Sequence, residues 1–170
     1  MHAFAVGPYL ASRPAGCVVL ENGAMRILVI NGANLNLLGR REPGVYGTES
    51  LAEVETRVRA RAEELGCQVE FRQSNHEGEI VGWLQEAGEG SGFDAVVMNP
   101  GAFTHYSYAI RDAITGARVR LYEVHVSNMH AREEFRRHSV VSAVAAGIVV
   151  GMGTLGYELA LEAAVRTGRP

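Results

Sequence analysis

The chain has 170 residues, of which 47% are hydrophobic and 21% are charged, and its mean hydropathy is +0.00. These values are typical of one compact domain that is large enough to bury a core. All 16 basic residues are arginine and face 19 acidic residues, so the net charge is −3. The lack of lysine excludes Schiff-base catalysis through a lysine amine and excludes a P-loop. The net charge gives no electrostatic reason to expect nucleic acid or an anionic membrane as a partner.

The two cysteines and the N-terminal residues indicate in which compartment the protein is found and whether it carries a signal peptide. Cys17 and Cys67 have no metal-binding or CxxC spacing, so we expect two reduced thiols in a cytoplasmic protein. No apolar run approaches the roughly 18 residues of a membrane span. Residues 1–24 have neither the basic start nor the apolar stretch of a signal peptide, and regular periodicity begins only at Met25. We therefore predict a loosely ordered extension, or an upstream start, over 1–24 and a single domain over 25–170.

From Met25 onward, short apolar runs alternate with amphipathic segments. We predict strands over 26–31, 68–73, 95–99, 119–125 and 146–150, the second with the alternation of an edge strand. We predict helices around 51–65, 80–87, 106–115, 132–137 and 155–165. The first helix follows a capping box of Ser50 and Glu53 and ends at Gly66. This order predicts an α/β, flavodoxin-like three-layer sandwich with a five-stranded parallel sheet in the order 2-1-3-4-5.

Polar side chains follow four of the predicted strands, at the edge where ligands bind in such sheets. They are Asn31, Asn34 and Asn36 after strand 1, Ser74, Asn75 and His76 after strand 2, Asn99 after strand 3, and His125, Ser127 and Asn128 after strand 4. Each one alone could be a helix cap or a turn residue. Four adjacent strand ends with amide or imidazole groups favour a pocket instead.

The loop after strand 1 carries Arg41 and Tyr46, five positions apart. A free phenol has a pKa of about 10 and is a poor base near neutral pH, but a neighbouring guanidinium favours the phenolate. The pair suits general-base catalysis. The alternative is a surface turn with a packed tyrosine.

Strand 4 places Glu123 and His125 on one face, because side chains two apart in a strand point the same way. The carboxylate can hold the imidazole in one tautomer and favour the imidazolium, which would make His125 a proton donor. A core salt bridge is the alternative. A metal site formed by the histidines is a further alternative, but their spacing is not the helical HExxH pattern that is typical of such sites.

Two further patterns have competing interpretations. Arg132 and Arg136, four apart, could clamp a carboxylate or hydroxyls, or be solvated partners of Glu133 and Glu134. The segment 151–156 matches GxGxxG but follows the last strand, and no acidic residue lies about 20 positions further on. We interpret it as close packing of a helix on a strand.

Several strings together resemble the type II 3-dehydroquinate dehydratases. They are NGANLNLLG (31–39), REPGVY (41–46), QSNHEG (73–78), NPGAFTH (99–105), RDA (111–113), EVHVSN (123–128), REEFR (132–136) and the ending 151–161. They occur in order from about Met25 to Val165, so the resemblance covers nearly the whole predicted domain. It implies dehydration of 3-dehydroquinate to 3-dehydroshikimate, the third step of the shikimate pathway, without metal or organic cofactor.

The resemblance also implies roles for individual residues. Tyr46 would remove a proton alpha to the ketone, Arg41 would keep Tyr46 ionised, and Asn34 would stabilise the enolate through a water. His125 would protonate the departing hydroxyl, with Glu123 orienting it. The implied substrate contacts are Asn99, His105 and Arg136 with hydroxyls, the backbone amides of Val126 and Ser127 with the carboxylate, Arg132 in a lid, and Asp112 reaching a neighbouring subunit's site. The implied assembly is a dodecamer built from trimers.

The chain departs from the family pattern at two positions. Ala33 stands where proline is usual, and we expect a more mobile turn there because proline fixes φ. Tyr106 stands where a small threonine is usual, and it could crowd the pocket or face a subunit interface. The rival interpretations are a flavin- or nucleotide-binding module and a receiver-type domain. The first expects phosphate-binding Gly, Ser and Thr runs after strand 1, and the second an acidic cluster with a lysine, none of which the sequence has.

Overall fold

The computed structural model describes residues 23–40, 48–88, 90 and 92–167. Its strands are β1 (Arg26–Asn31), β2 (Gln68–Gln73), β3 (Ala95–Asn99), β4 (Leu121–His125) and β5 (Gly147–Val150). Its α-helices are α1 (Leu51–Leu65), α2 (Glu77–Glu86), α3 (Tyr108–Gly116) and α4 (Leu155–Thr167). Most of the predicted extension, residues 1–22, lies outside the described residues, and so does Cys17.

The sheet is parallel throughout and runs in the order β2-β1-β3-β4-β5. Asn31 at the end of β1 pairs with Gln73 on one side and with Asn99 on the other. The carboxyl ends of these strands therefore lie side by side. The predicted fold class and strand order are confirmed.

Helices cover both faces of the sheet. On one face, α1 and α4 bury an apolar cluster that includes Val58, Val97, Val124 and Leu161. On the other face, α2 and α3 bury a second cluster. Burial of two such clusters supplies the main driving force for folding, and the result is three layers.

Helix α1 has the limits that its sequence predicts. The Ser50 side chain accepts from the Glu53 backbone N–H (3.3 Å), and a Glu53 carboxylate oxygen accepts from the Ser50 backbone N–H (2.7 Å). Gly66 ends the helix in the left-handed conformation, with φ of 67°. Capping at both ends satisfies backbone groups that a helix leaves unpaired.

Two of the predicted helices differ in the structure. The helix predicted to begin at residue 106 begins at Tyr108, because Ser107 caps it by accepting from the Ile110 N–H (3.0 Å) and Gly101–His105 forms a separate 3-10 turn. The helix predicted over 132–137 is absent, and 3-10 turns Met129–Ala131 and Glu134–Arg136 flank an extended Arg132. A helix of so few residues has too few hydrogen bonds to be stable by itself, so tertiary contacts decide its form.

The glycine-rich segment before α4 packs the helix closely on the sheet. A Cβ on Gly156 would lie 3.3 Å from Val124 Cγ1 and 3.4 Å from Val149 Cγ1. This agrees with the predicted packing role of the GxGxxG match. In the described part of the chain, no helix is long and apolar enough to cross a membrane, and Cys67 is a buried free thiol.

Candidate active site

A cavity of about 220 Å³ opens at the carboxyl ends of the strands. Eight of the residues singled out from the sequence line it: Asn34, Asn99, His105, His125, Val126, Ser127, Arg132 and Arg136. Arg41 and Tyr46 lie outside the described residues. The strand ends thus bring together residues that are up to about a hundred positions apart in the chain.

Asn34 is held at the cavity by its backbone. It lies in the left-handed region with φ of 67°, which is uncommon for a residue other than glycine. Its backbone N–H donates to Asn75 Oδ1 at 2.8 Å. Gly32, two residues earlier, packs so closely that a Cβ there would lie 2.1 Å from the carbonyl oxygen of Pro100. These contacts fix the turn that presents Asn34.

Asn99 belongs to a buried chain of hydrogen bonds that sequence reasoning missed. Its Nδ2 donates to the Tyr157 hydroxyl at 2.9 Å, and that hydroxyl donates to Asn31 Oδ1 at 2.6 Å. Tyr157 is completely buried, and burial raises its pKa above the ordinary value of a phenol, although the bond from Asn99 acts in the opposite direction. The neutral hydroxyl therefore both accepts and donates, which orients the Asn99 amide at the cavity wall. The only signal in the sequence was a tyrosine near the start of the last predicted helix.

Glu123 and His125 form the buried pair that the spacing predicts. His125 Nε2 lies 2.8 Å from Glu123 Oε1, and the Glu123 side chain has no exposed surface. Burial raises the pKa of Glu123, but the hydrogen bond and charge of His125 and hydroxyls of Ser142 and Thr104 outweigh it, so the net pKa lies below the ordinary value. Both interpretations of the pair are compatible with this geometry, since the imidazole is hydrogen-bonded to a buried carboxylate and also lines the cavity.

His105 faces the same cavity from the turn after β3. Its Nδ1 lies 2.8 Å from the backbone carbonyl oxygen of His138, so Nδ1 carries the hydrogen. Burial is the main cause that lowers the pKa of His105, and the charges of Arg136 and His125 act in the same direction against the bond to His138. This favours a neutral ring whose Nε2 can accept a hydrogen bond.

Arg132 and Arg136 line the cavity although no continuous helix carries them. Their Nε atoms lie 3.4 Å and 3.3 Å from the same Glu133 carboxylate oxygen. The two interpretations of these arginines are therefore compatible: each has an acidic neighbour, and each also contributes positive charge to the cavity.

Asp112 and Tyr106 lie away from the cavity. Asp112 is an exposed residue of α3 and lines a groove with Val81 and Gln85 of α2. Tyr106 is 58% exposed and packs edge-on against Phe103, with 6.1 Å between ring centroids. It therefore does not crowd the cavity, whereas Ala33 does line it.

Among the described residues, no three His, Cys, Asp or Glu side chains are arranged as metal ligands. The cavity polar groups are instead amides, imidazoles, guanidinium groups and one buried carboxylate behind an imidazole. Such groups bind hydroxyls and carboxylates and transfer protons.

Comparison with known proteins identifies the family. The model of the family described as dehydroquinase class II matches residues 25–165. The chain belongs to the class II dehydroquinase family. A relative from Brucella canis named 3-dehydroquinate dehydratase is 55% identical to this chain over 137 residues, which are 81% of this chain and 86% of the relative.

Solved structures are similar to this chain in fold as well as in sequence. The type II dehydroquinase from Butyrivibrio crossotus DSM 2876 has a TM-score of 0.80 and 47% identity, covering 82% of this chain and 97% of that one. The type II dehydroquinase from Propionibacterium acnes has a TM-score of 0.79 and 45% identity, covering 85% of this chain and 99% of that one. The family and fold that the sequence motifs predict are thereby confirmed.

Proposed function

We propose that this protein is a hydro-lyase that converts 3-dehydroquinate to 3-dehydroshikimate and water, the third step of the shikimate pathway towards aromatic amino acids. The observation that carries the proposal is the buried Glu123–His125 pair whose imidazole lines the cavity of a class II dehydroquinase. The family match favours this activity over a flavin- or nucleotide-binding module or a receiver domain.

The proposed reaction is a trans elimination through an enolate. Tyr46, kept ionised by Arg41, removes a proton alpha to the ketone, and the electron pair of that C–H bond forms the enolate. Asn34 stabilises the enolate oxygen through a water. When the enolate collapses, the C–O bond to the leaving hydroxyl breaks and His125 supplies the proton that makes it water. No cofactor and no metal ion take part.

The contacts of Glu123 support the role of His125 as the acid. A carboxylate bonded to one ring nitrogen holds the imidazole in one orientation and stabilises positive charge on it. At 2.8 Å, Glu123 Oε1 is close enough to do both. The proton that His125 donates leaves in the product water. Solvent then carries the proton that Tyr46 removed to the His125 ring, which returns to its charged state.

The remaining cavity residues are proposed to bind the substrate. Asn99, His105 and Arg136 take its hydroxyl groups, and the backbone amides of Val126 and Ser127 take its carboxylate. The orientation of Asn99 by Tyr157 and the neutral ring of His105 support this assignment, because both present hydrogen-bonding groups suited to hydroxyls. Arg132 is proposed to act in a lid over the bound substrate.

We propose that the enzyme works as a homo-oligomer, a dodecamer of four trimers, in the cytoplasm. Support comes from four exposed apolar side chains on β5, on α4 and in the segment between them: Ile148, Met152, Leu155 and Leu159 are 48%, 57%, 50% and 40% exposed. Exposed large apolar side chains that cluster in one part of the chain are typical of interfaces. Asp112, away from its own cavity, is proposed to reach a neighbouring subunit's site. Light scattering after size exclusion tests the assembly, and a monomer would contradict it.

The activity is tested by incubating the purified protein with 3-dehydroquinate and following the ultraviolet absorbance of the conjugated enone product. Parallel samples contain a chelator, borohydride, the variant Tyr46→Phe, or the control Tyr108→Phe at an exposed position of α3. We expect absorbance to rise in all samples except Tyr46→Phe. A parent protein that forms no enone refutes the activity, and an active Tyr46→Phe variant refutes the tyrosine base.

A further inference from the structure

Three hydroxyl side chains surround the Glu123 carboxylate behind the cavity. Thr104 Oγ1 donates to Glu123 Oε1 at 2.5 Å, and Ser139 Oγ donates to the same oxygen at 3.1 Å. Ser142 Oγ donates to the other oxygen, Oε2. With His125 Nε2, four donors converge on one carboxylate that has no exposed surface. We call Thr104, Ser139 and Ser142 the hydroxyl cage.

The cage does not line the cavity, so its members act through Glu123 and do not touch the substrate. Its geometry is fixed by the backbone. Ser139 Oγ accepts from the N–H groups of Val141 (3.1 Å) and Ser142 (2.9 Å), and it also lies 2.7 Å from Thr104 Oγ1. With both lone pairs engaged by the two N–H groups, Ser139 has one hydroxyl hydrogen left to donate, and Thr104 Oγ1 and Glu123 Oε1 both lie within its reach.

A buried carboxylate needs such donors because removal from water disfavours its charged form. The charged and titratable groups around the pair are His125 on the same strand, His105 from the turn after β3, and Arg136 from the segment after β4. Of these, only His125 is hydrogen-bonded to Glu123. A single imidazole bond leaves lone pairs on both oxygens, and the cage occupies them.

We propose that Thr104, Ser139 and Ser142 are positioning residues that keep Glu123 ionised and its Oε1 directed at His125 Nε2. This inference rests on the proposed function, in which His125 donates the proton. If Glu123 took up a proton, the neutral acid would lose the charge that holds His125 Nε2–H in place, and the ring would no longer be oriented to donate to the substrate. The cage thus sets how far into the acid range the enzyme works.

The test measures Glu123 directly, by infrared spectroscopy of its carboxyl group as the pH is lowered, with the band identified by its loss in Glu123→Gln. For Ser142→Ala and Thr104→Val, we expect Glu123 to take up its proton at a pH about one unit higher than in the parent, because a hydrogen bond to a charged group is lost. We also expect kcat at acid pH, relative to its maximum, to fall about tenfold. Thr104→Ser keeps the hydroxyl and should restore the parent behaviour.

Ser74→Ala is the matched control, since its buried hydroxyl donates to the carboxylate of Glu79 and not to Glu123. It should lower stability without moving the Glu123 titration. If Ser142→Ala and Thr104→Val lose stability while Glu123 titrates as in the parent, the cage is only structural and the inference is refuted. If the parent makes no enone but the variants shift the titration as expected, the proposed function fails while the effect of the cage on Glu123 stands.

Discussion

Replacing Tyr157 by phenylalanine removes one hydroxyl that serves two buried amides. The ring is completely buried, so the variant keeps its apolar contacts with the core cluster under α4. What it loses is the bond to Asn31 Oδ1 (2.6 Å) and the bond from Asn99 Nδ2 (2.9 Å).

The two losses differ in cost because the two amides differ in access to water. A buried polar group left without a partner costs about 1–3 kcal/mol. Asn31 has no exposed surface, so its oxygen should cost about 2 kcal/mol. Asn99 lines the cavity, where water can bond to it, so its amide should cost only about 1 kcal/mol. We expect Tyr157→Phe to lower the free energy of unfolding by about 3 kcal/mol near neutral pH.

The difference in the free energy of unfolding between the parent and Tyr157→Phe should become smaller at high pH. Burial raises the pKa of Tyr157, so above the ordinary value of 10.0 the unfolded chain releases this proton while the native protein retains it. The unfolded state then binds fewer protons, and the parent loses about 1.4 kcal/mol of stability per pH unit from this group. The phenylalanine variant has no such proton, so the two proteins should converge above pH 10.

Urea unfolding at several pH values measures the stability difference, and enone formation measures KM and kcat. Because the Asn99 amide loses its orientation, we expect KM to rise about tenfold and kcat to change by less than about threefold. Tyr122→Phe is the matched control, since its hydroxyl bonds to Arg120 (3.0 Å) and Thr167 (2.5 Å) at the opposite edge of the sheet. The reasoning is wrong if Tyr157→Phe loses less than about 1 kcal/mol or if Tyr122→Phe raises KM equally.

Three further substitutions test how the fold presents the site. Gly32→Ala should lower the free energy of unfolding by more than about 3 kcal/mol, because its Cβ would lie 2.1 Å from the Pro100 carbonyl oxygen and the backbone there cannot move easily. Thermal unfolding measures this, and a melting temperature equal to the parent's would contradict it. Ser50→Ala should cost about 1 kcal/mol by urea unfolding through loss of the α1 capping box, with kcat unchanged. Asn75→Ala should lower kcat about tenfold in the enone assay because the Asn34 N–H loses its acceptor, and Asn75→Asp, which keeps an acceptor oxygen, should retain most of the activity.

Local sequence signals predicted the elements whose cause is local. The limits of α1 follow from Ser50 and Gly66, and a run of apolar residues predicted β1 with its observed bounds. The side-chain period of two in β4 predicted that Glu123 and His125 lie on one face. Each of these features depends only on residues a few positions away, and those residues can be read directly from the sequence. The family and its expected residue roles came from a resemblance over many separate motifs.

Segments without strong local preference were predicted less well. The helix expected over 132–137 is a pair of 3-10 turns, and α3 begins two residues later than expected, after the turn that carries His105. Such short segments gain little from their own hydrogen bonds, so their contacts with the cavity wall decide their form.

The sequence by itself determined the α/β class, the parallel strand order and the family. It also predicted the polar ends of β1, β3 and β4 that line the cavity, whereas Ser74, Asn75 and His76 after β2 do not line it. Only the tertiary structure decided which polar groups stand behind the cavity. Tyr157 meets an asparagine 126 positions earlier, and Ser142 meets Glu123 from 19 positions away. The local sequence pattern does not predict these partners. A buried polar group must form a hydrogen bond with a donor or acceptor within about 3 Å, and which group lies there depends on how distant parts of the chain pack together.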